Sequence, residues 1–134
     1  DVLSAYSLAV YTCLGKGGIP KDLAEGFRLN SIAAASGMPF ALFNVGCHYF
    51  SGHGVKQNMK EAAYWWELAT EKNLPEAMLN LGKMYAQGLG LKEDREKAIF
   101  WYKKAVGEIE GDIDVEKALR ELMEKMDQSK ETVK

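Results

Sequence analysis

Apolar residues recur along this chain at three- and four-residue steps, in short stretches divided by glycine-containing turns. Ala77, Met78, Leu81, Met84 and Tyr85 form one stripe, and Ala98, Ile99, Trp101, Tyr102 and Ala105 form the next. That spacing predicts two amphipathic helices. Between them, Gln87-Gly88-Leu89-Gly90 supplies a stop, because glycine enters the left-handed region without a Cβ penalty. Pro75 and Glu76 suit the first turn of the first helix, where a missing N–H and a negative charge are both tolerated. Asp94 is placed to cap the second helix by accepting from its free N–H groups. The same order occurs earlier in the chain. Ala41, Leu42, Val45, Gly46, Tyr49 and Phe50 precede the turn Gly52-His53-Gly54-Val55. Asn58 then takes the cap position, and Ala62, Ala63, Trp65, Trp66, Leu68 and Ala69 follow.

The two units lie 36 residues apart, and a weaker third copy precedes them in the same register. Ala5, Ala41 and Ala77 coincide, as do Gly18, Gly54 and Gly90, then Asp22, Asn58 and Asp94, then Ala33, Ala69 and Ala105. In the first copy Val10 stands for the mid-helix glycine, Cys13 for the tyrosine, Gly26 for the alanine and Leu29 for the tryptophan. A fixed period of this size marks a stacked solenoid, whose end repeats are often atypical because one neighbour is missing. A solenoid is a surface for holding other molecules, so binding is the default expectation.

Small residues in helix interiors call for a mechanical reason. Gly46 and Gly82 are expected to mark close crossings of the paired helix, through Ala62 and Ala98. The tryptophans Trp65, Trp66 and Trp101 are expected to fill the space between successive hairpins. Residues 107–114 break the register and are strongly acidic. After them Val115, Leu119, Leu122, Met123 and Met126 form a stripe opposite Lys117, Arg120, Glu121, Glu124 and Lys125. This segment reads as a capping helix over the last hairpin, with a helix for dimerisation or docking as the competing reading. Residues 127–134 are expected to fray.

Composition changes this picture little. The chain has 134 residues, 47% apolar and 27% charged, which fits an ordinary globular domain. A net charge of −2 leaves no electrostatic footprint for nucleic acid or an anionic membrane. No apolar run approaches the ~20 residues needed to cross a bilayer. The chain opens on Asp1 without an initiator Met or a signal pattern, which suggests a fragment or a mature form. Cys13 and Cys47 sit at non-equivalent repeat positions and make no disulfide framework, which fits a reducing environment slightly better.

The order Ala-x-x-x-Leu-Gly-x-x-Tyr, Gly-x-Gly-Leu, Asp, Ala-x-x-Trp-x-x-x-Ala resembles the Sel1-like repeat (SLR) family, a branch of the tetratricopeptide-type helical repeats. Ala77 to Tyr85, Gly88 to Leu91, Asp94 and Ala98 to Ala105 carry it in the third copy. The second copy differs by Val45 for Leu and Asn58 for Asp. The resemblance covers residues 4–107. It implies an all-α, right-handed α-α superhelix of three hairpins, with repeats at about 4–39, 40–75 and 76–107. The capping helix at about 113–129 then completes a single domain over 1–134. It also implies an adaptor or scaffold that binds a peptide or protein segment on its concave face. A cysteine-rich subgroup carries paired cysteines in each hairpin, and this chain lacks them.

By analogy with such stacks, the first helix of each hairpin lines the concave face. Tyr11, Phe40, Phe43, Asn44, Cys47, Phe50, Leu79, Asn80 and Lys83 are the expected partner-binding residues, with Ser7, Leu8, Leu14 and Glu76 beside them. The phenylalanines fit either an apolar docking surface or a buried core. Asn44 and Asn80 share one position and fit either a guest backbone or neighbouring backbone groups. A protein or peptide partner is expected, with no nucleic acid and no membrane insertion, and a monomer or a weak dimer through the C-terminal helix. The alternatives are a small-molecule-binding or hydrolytic repeat protein, and a structural spacer within a longer array.

Signals for chemistry are weak, and no catalytic residue, cofactor or metal is expected. Cys47, His48 and His53 with Cys13 lack metal-ligand spacing, since adjacent helical residues point about 100° apart. His48 reads as a groove or edge residue and His53 as a turn residue. Gly15-Lys16-Gly17-Gly18 lacks the upstream glycine and following Ser/Thr of a phosphate loop and falls on the repeat's own turn. The pairs Glu108/Glu110 and Asp112/Asp114 read as a solvated linker.

Overall fold

Seven helices follow from these stripes in a computed structural model, which describes residues 2–108 and 113–132. They are α1 (Val2–Leu14), α2 (Leu23–Ala35), α3 (Pro39–Ser51), α4 (Met59–Thr70), α5 (Pro75–Gln87), α6 (Arg95–Glu108) and α7 (Ile113–Thr132). No strand occurs among the described residues. Each helix packs on its successor, so α1/α2, α3/α4 and α5/α6 are hairpins stacked through α2/α3 and α4/α5. The result is an all-helical solenoid closed at one end by α7. The acidic positions 109–112, the carboxylates of Glu108 and Asp114, and the side chains of Val115 and Met126 lie outside the described residues.

The same capping position closes every hairpin. Asp22, Asn58 and Asp94 accept from the N–H groups of Glu25, Glu61 and Lys97, each at 3.1 Å. The same three residues donate their own N–H groups back to the first helix, to the carbonyls of Thr12 (3.0 Å), Tyr49 (2.9 Å) and Tyr85 (2.9 Å). A single side chain thus starts one helix while its backbone ties that start to the previous helix. Gly52 and Gly88 end α3 and α5 at φ 69° and 68°. In the first hairpin the stop comes one repeat position earlier, at Gly15, which bonds to the Tyr11 carbonyl at 2.8 Å. That slip explains why Asp22 reaches Thr12 and not Cys13.

The second turn glycine has a different task. A Cβ on Gly54 would run into the backbone of Leu23 and Ala24 at the start of α2, and one on Gly90 into Met59 and Lys60 at the start of α4. These glycines seat each turn against the preceding hairpin. Gly18, their counterpart in the first repeat, has nothing within 4 Å of that position.

The helix-interior glycines do mark close crossings, but the partners differ from those expected. A Cβ on Gly46 would overlap the Trp66 indole, and one on Gly82 would lie 2.7 Å from the Tyr102 ring. Ala98 contributes only its carbonyl oxygen, at 3.3 Å. The glycine is therefore a slot for an aromatic ring on the second helix. Accordingly Trp66 and Tyr102 are buried, at 3% and 4% exposure, whereas Trp65 and Trp101 are half-buried. Of the tryptophans expected to fill this space, Trp66 does so most fully, and in the third hairpin Tyr102 takes the matching place. The Trp66 N–H donates to the Phe43 carbonyl at 3.1 Å, so its polar atom is satisfied.

Around these crossings lies a continuous core that includes Ala33, Ala41, Leu42, Val45, Ala62, Ala69, Ala77, Leu81 and Met84. Alanines at 0% exposure let the helices approach, and the larger side chains fill what remains. At the C-terminal end Leu122 of α7 is buried against Ala98 and Tyr102, with Leu119 beside it. Met123, expected on the same stripe, is exposed. The helix continues to Thr132, past the position where fraying was expected.

Candidate functional site: two grooves across the first helices

Stacking leaves a groove at each junction between hairpins. The first, about 520 Å³, is lined by Tyr6, Val10, Cys13, Leu14, Lys21, Leu23, Asn30, Asn44, Cys47, His48, Ser51 and His53. The second, about 330 Å³, is lined by Cys47, Phe50, Ser51, Trp66, Asn80, Lys83, Met84, Gln87 and Leu89. Cys47 and Ser51 on α3 belong to both, so the grooves adjoin across that helix.

The floor of the first groove is a chain of polar side chains. His48 Nδ1 lies 2.7 Å from the His53 carbonyl, which can only accept, so Nδ1 carries the proton. Nε2 is then an acceptor, and the Asn30 amide donates to it at 3.0 Å. The Cys13 sulfur approaches the same nitrogen at 3.8 Å. The Asn30 oxygen accepts from the Asn44 amide at 3.4 Å. Burial pushes the His48 pKa down, partly offset by the bond to His53. The imidazole is therefore neutral and serves as a structural link between α2, α3 and the α3–α4 turn. Its ring also meets Phe27 edge-on at 5.5 Å.

Neither thiol is activated. Burial raises the Cys13 pKa, and burial lifts that of Cys47 to about 11 despite its bond with Trp66. Both stay protonated at neutral pH, which disfavours nucleophilic attack and metal ligation. Among the described residues no group of three or more His, Cys, Asp or Glu side chains is arranged to hold a metal ion. No described helix is long and apolar enough to cross a membrane.

The second groove is built differently. Its floor is the Trp66 ring, with Phe50 against it at 5.4 Å between ring centres. Asn80 and Lys83 line one wall, and neither has a hydrogen-bond or ion-pair partner among the described residues. No carboxylate of a described residue lines either groove.

The structure distributes the nine expected partner-binding residues unevenly. Asn44 and Cys47 line the first groove, and Cys47, Phe50, Asn80 and Lys83 line the second. Tyr11 and Phe40 are 48% and 50% exposed and line neither. Phe43 stacks on Trp66 at 6.2 Å, and Leu79 packs against the buried clusters of Met78 with Ala105 and of Ala98, Tyr102 and Leu122. Asn44 is satisfied by a side chain, not by neighbouring backbone. The lining residues not singled out as partner-binding include Asn30, His48, Ser51 and Trp66. Asn30 had a signal, since it stands at the position of Trp66 and Tyr102.

The Sel1 repeat profile matches residues 2–38, 39–74 and 75–106. No curated protein matches the chain. Among solved structures, a Sel1 repeat protein from Oxalobacter formigenes superposes with a TM-score of 0.81 at 26% identity, over 89% of this chain and 48% of that one. A protective antigen of uropathogenic Escherichia coli with an SLR fold gives 0.80 at 31% identity, over 85% and 24%. This chain thus spans half or less of both relatives. The cysteine-rich protein B of Helicobacter pylori shares the fold, with a TM-score of 0.68 at 22% identity over 85% of this chain and 86% of that one. Three consecutive repeat matches, the caps and glycine turns that recur in each hairpin, and these superpositions together show that the chain belongs to the Sel1 repeat family.

Proposed function

We propose that residues 1–134 act as one protein–protein interaction domain that holds a peptide or protein segment along the two adjoining grooves. Sel1 repeat proteins generally mediate protein–protein interactions, and the fold is generally non-enzymatic. The observation that carries the finer reading is the continuity of the grooves at Cys47 and Ser51, with unpartnered Asn80 and Lys83 beyond. Spare amide and ammonium donors on a rigid helix suit a guest backbone and side chains. Tyr11 and Phe40 stand exposed outside the grooves, while Phe43 braces the Trp66 ring. The protonated thiols of Cys13 and Cys47 and the hydrogen-bonded, neutral His48 favour this over a hydrolytic reading. The domain works as a monomer or a weak dimer through α7.

The test places a bulky side chain where the grooves meet. Ser51 is exposed, so Ser51→Trp obstructs both grooves without entering the core. Affinity capture with the unaltered chain and with this variant, read by mass spectrometry, is expected to show partners lost from the variant while circular dichroism is unchanged. Partners retained in full by the variant would place the binding surface elsewhere.

A second reading has its own observation. Leu3, Leu8 and Leu14 of α1 are exposed, and the Gly18 turn lacks the helix start that its counterparts touch. That face fits another hairpin of the same kind, which supports the role of a spacer within a longer array.

A further inference from the structure

We propose that the trough selects acidic guests: peptide segments in which carboxylates flank a large apolar side chain. This deepens the groove-binding reading and rests on it. The chain carries 19 Asp and Glu against 17 Lys and Arg, yet among the described residues no carboxylate lines either groove, while Lys21 lines the first and Lys83 the second. Neither lysine has an ion-pair partner among the described residues. Asp22, the carboxylate nearest to Lys21 in sequence, is occupied in capping α2 at Glu25. Asn80 lies three residues before Lys83 on α5, one helical turn away, and adds an unpartnered amide to the same wall. Such a pair gives a carboxylate one charged and one neutral donor. Between the lysines the surface turns apolar, with Leu14, Leu23, Cys47, Phe50 and Trp66 available to a leucine- or phenylalanine-sized side chain. The charge pattern therefore repels basic segments and attracts acidic ones, with the apolar floor fixing position.

Selection of a random dodecamer display library on the immobilised chain tests this, followed by fluorescence anisotropy of the selected peptides. The expected peptides are enriched in Asp and Glu around one large apolar residue. Their Kd should weaken by about tenfold or more in the double variant Lys21→Glu/Lys83→Glu, the scale of losing desolvated charge-assisted contacts. Lys60→Glu, an exposed charge reversal outside both grooves, should leave it unchanged. Raising NaCl from about 50 to about 500 mM should also weaken binding, because salt screens exposed charge pairs. Acidic peptides indifferent to Lys21 and Lys83 would overturn the inference. So would neutral or basic peptides that are lost with Ser51→Trp, and in that case the groove reading would stand. A library that yields no binder would sink both.

Discussion

The two junctions of this solenoid use the same backbone and opposite chemistry. Between hairpins two and three, Trp66 and Met84 meet in an apolar seam, with Asn80 left open to the groove. One repeat earlier the matching positions hold Asn30, His48 and Asn44, which are joined in a hydrogen-bonded chain. The aromatic volume missing at Asn30 accompanies a groove of about 520 Å³ where the apolar junction leaves about 330 Å³. The crossings within the hairpins also differ. In the second and third, glycine on the first helix receives a ring from the second. In the first, the slot is Gly26 on the second helix and Cys13 faces it. What looks like decay of the repeat is thus the same steric fit with its halves exchanged, joined to a polar contact. A stack tolerates such exchange because each unit packs only on its neighbours.

The largest break in the comparison comes from the rings. Trp66→Ala should lower stability by about 3–5 kcal/mol, the usual cost of emptying an aromatic core site. Asn30→Ala at the matching position removes hydrogen bonds and leaves partners to be rehydrated, so about 1–2 kcal/mol is expected. Urea unfolding followed by circular dichroism gives both values. Equal losses would show that the two junctions are not energetically distinct.

The glycine slots sharpen the contrast. Gly46→Ala meets the Trp66 indole, a large ring braced by Phe43 and Phe50, and should cost about 1–3 kcal/mol despite better helix propensity. At Gly26 the obstacle is the Cys13 sulfur, which can turn to another rotamer. Gly26→Ala should therefore fall within about 1 kcal/mol of the unaltered chain, since relief of glycine's helix penalty offsets the contact. Thermal melts of the two variants side by side decide the matter. A severe loss at Gly26 would show that the first hairpin is as tightly matched as the others.

The smallest expected effect is on pH dependence. The folded His48 pKa lies below the ordinary value of about 6.5, so below that pH the unfolded chain binds more protons. The contribution of His48 is fully present above about pH 6.5 and is lost as pH falls through the depressed folded value. His48→Met copies the residue at Met84 and removes this term. Between about pH 7.5 and about pH 5.5, the drop in melting temperature should be larger for the unaltered chain than for the variant. Identical pH profiles would show that the His48 link carries no net stability.

Much of this fold was legible in one sequence. Asp22, Asn58 and Asp94, the turn glycines and the alanines recur at one period, and local rules for helix starts and stops convert them directly into hairpins. Gly46 and Gly82 announced a close crossing because glycine is unfavourable inside a helix. The expected partners were Ala62 and Ala98, whereas the Trp66 and Tyr102 rings fill the slots, because a period of sequence does not say which of two adjacent rings faces inward. Phe43 and Phe50 posed the same difficulty. Both brace Trp66, so Phe43→Asp or Phe50→Asp would disturb the core as well as the surface.

The sequence by itself determined the unit, its repetition and its two ends, because capping, glycine stops and helical periodicity act within a few residues. Only the tertiary structure decided which faces meet across hairpins. Asn30 and His48 stand 18 positions apart and become partners through the crossing of α2 and α3. Such pairings depend on the rotation of one helix against another, and no local spacing encodes that angle.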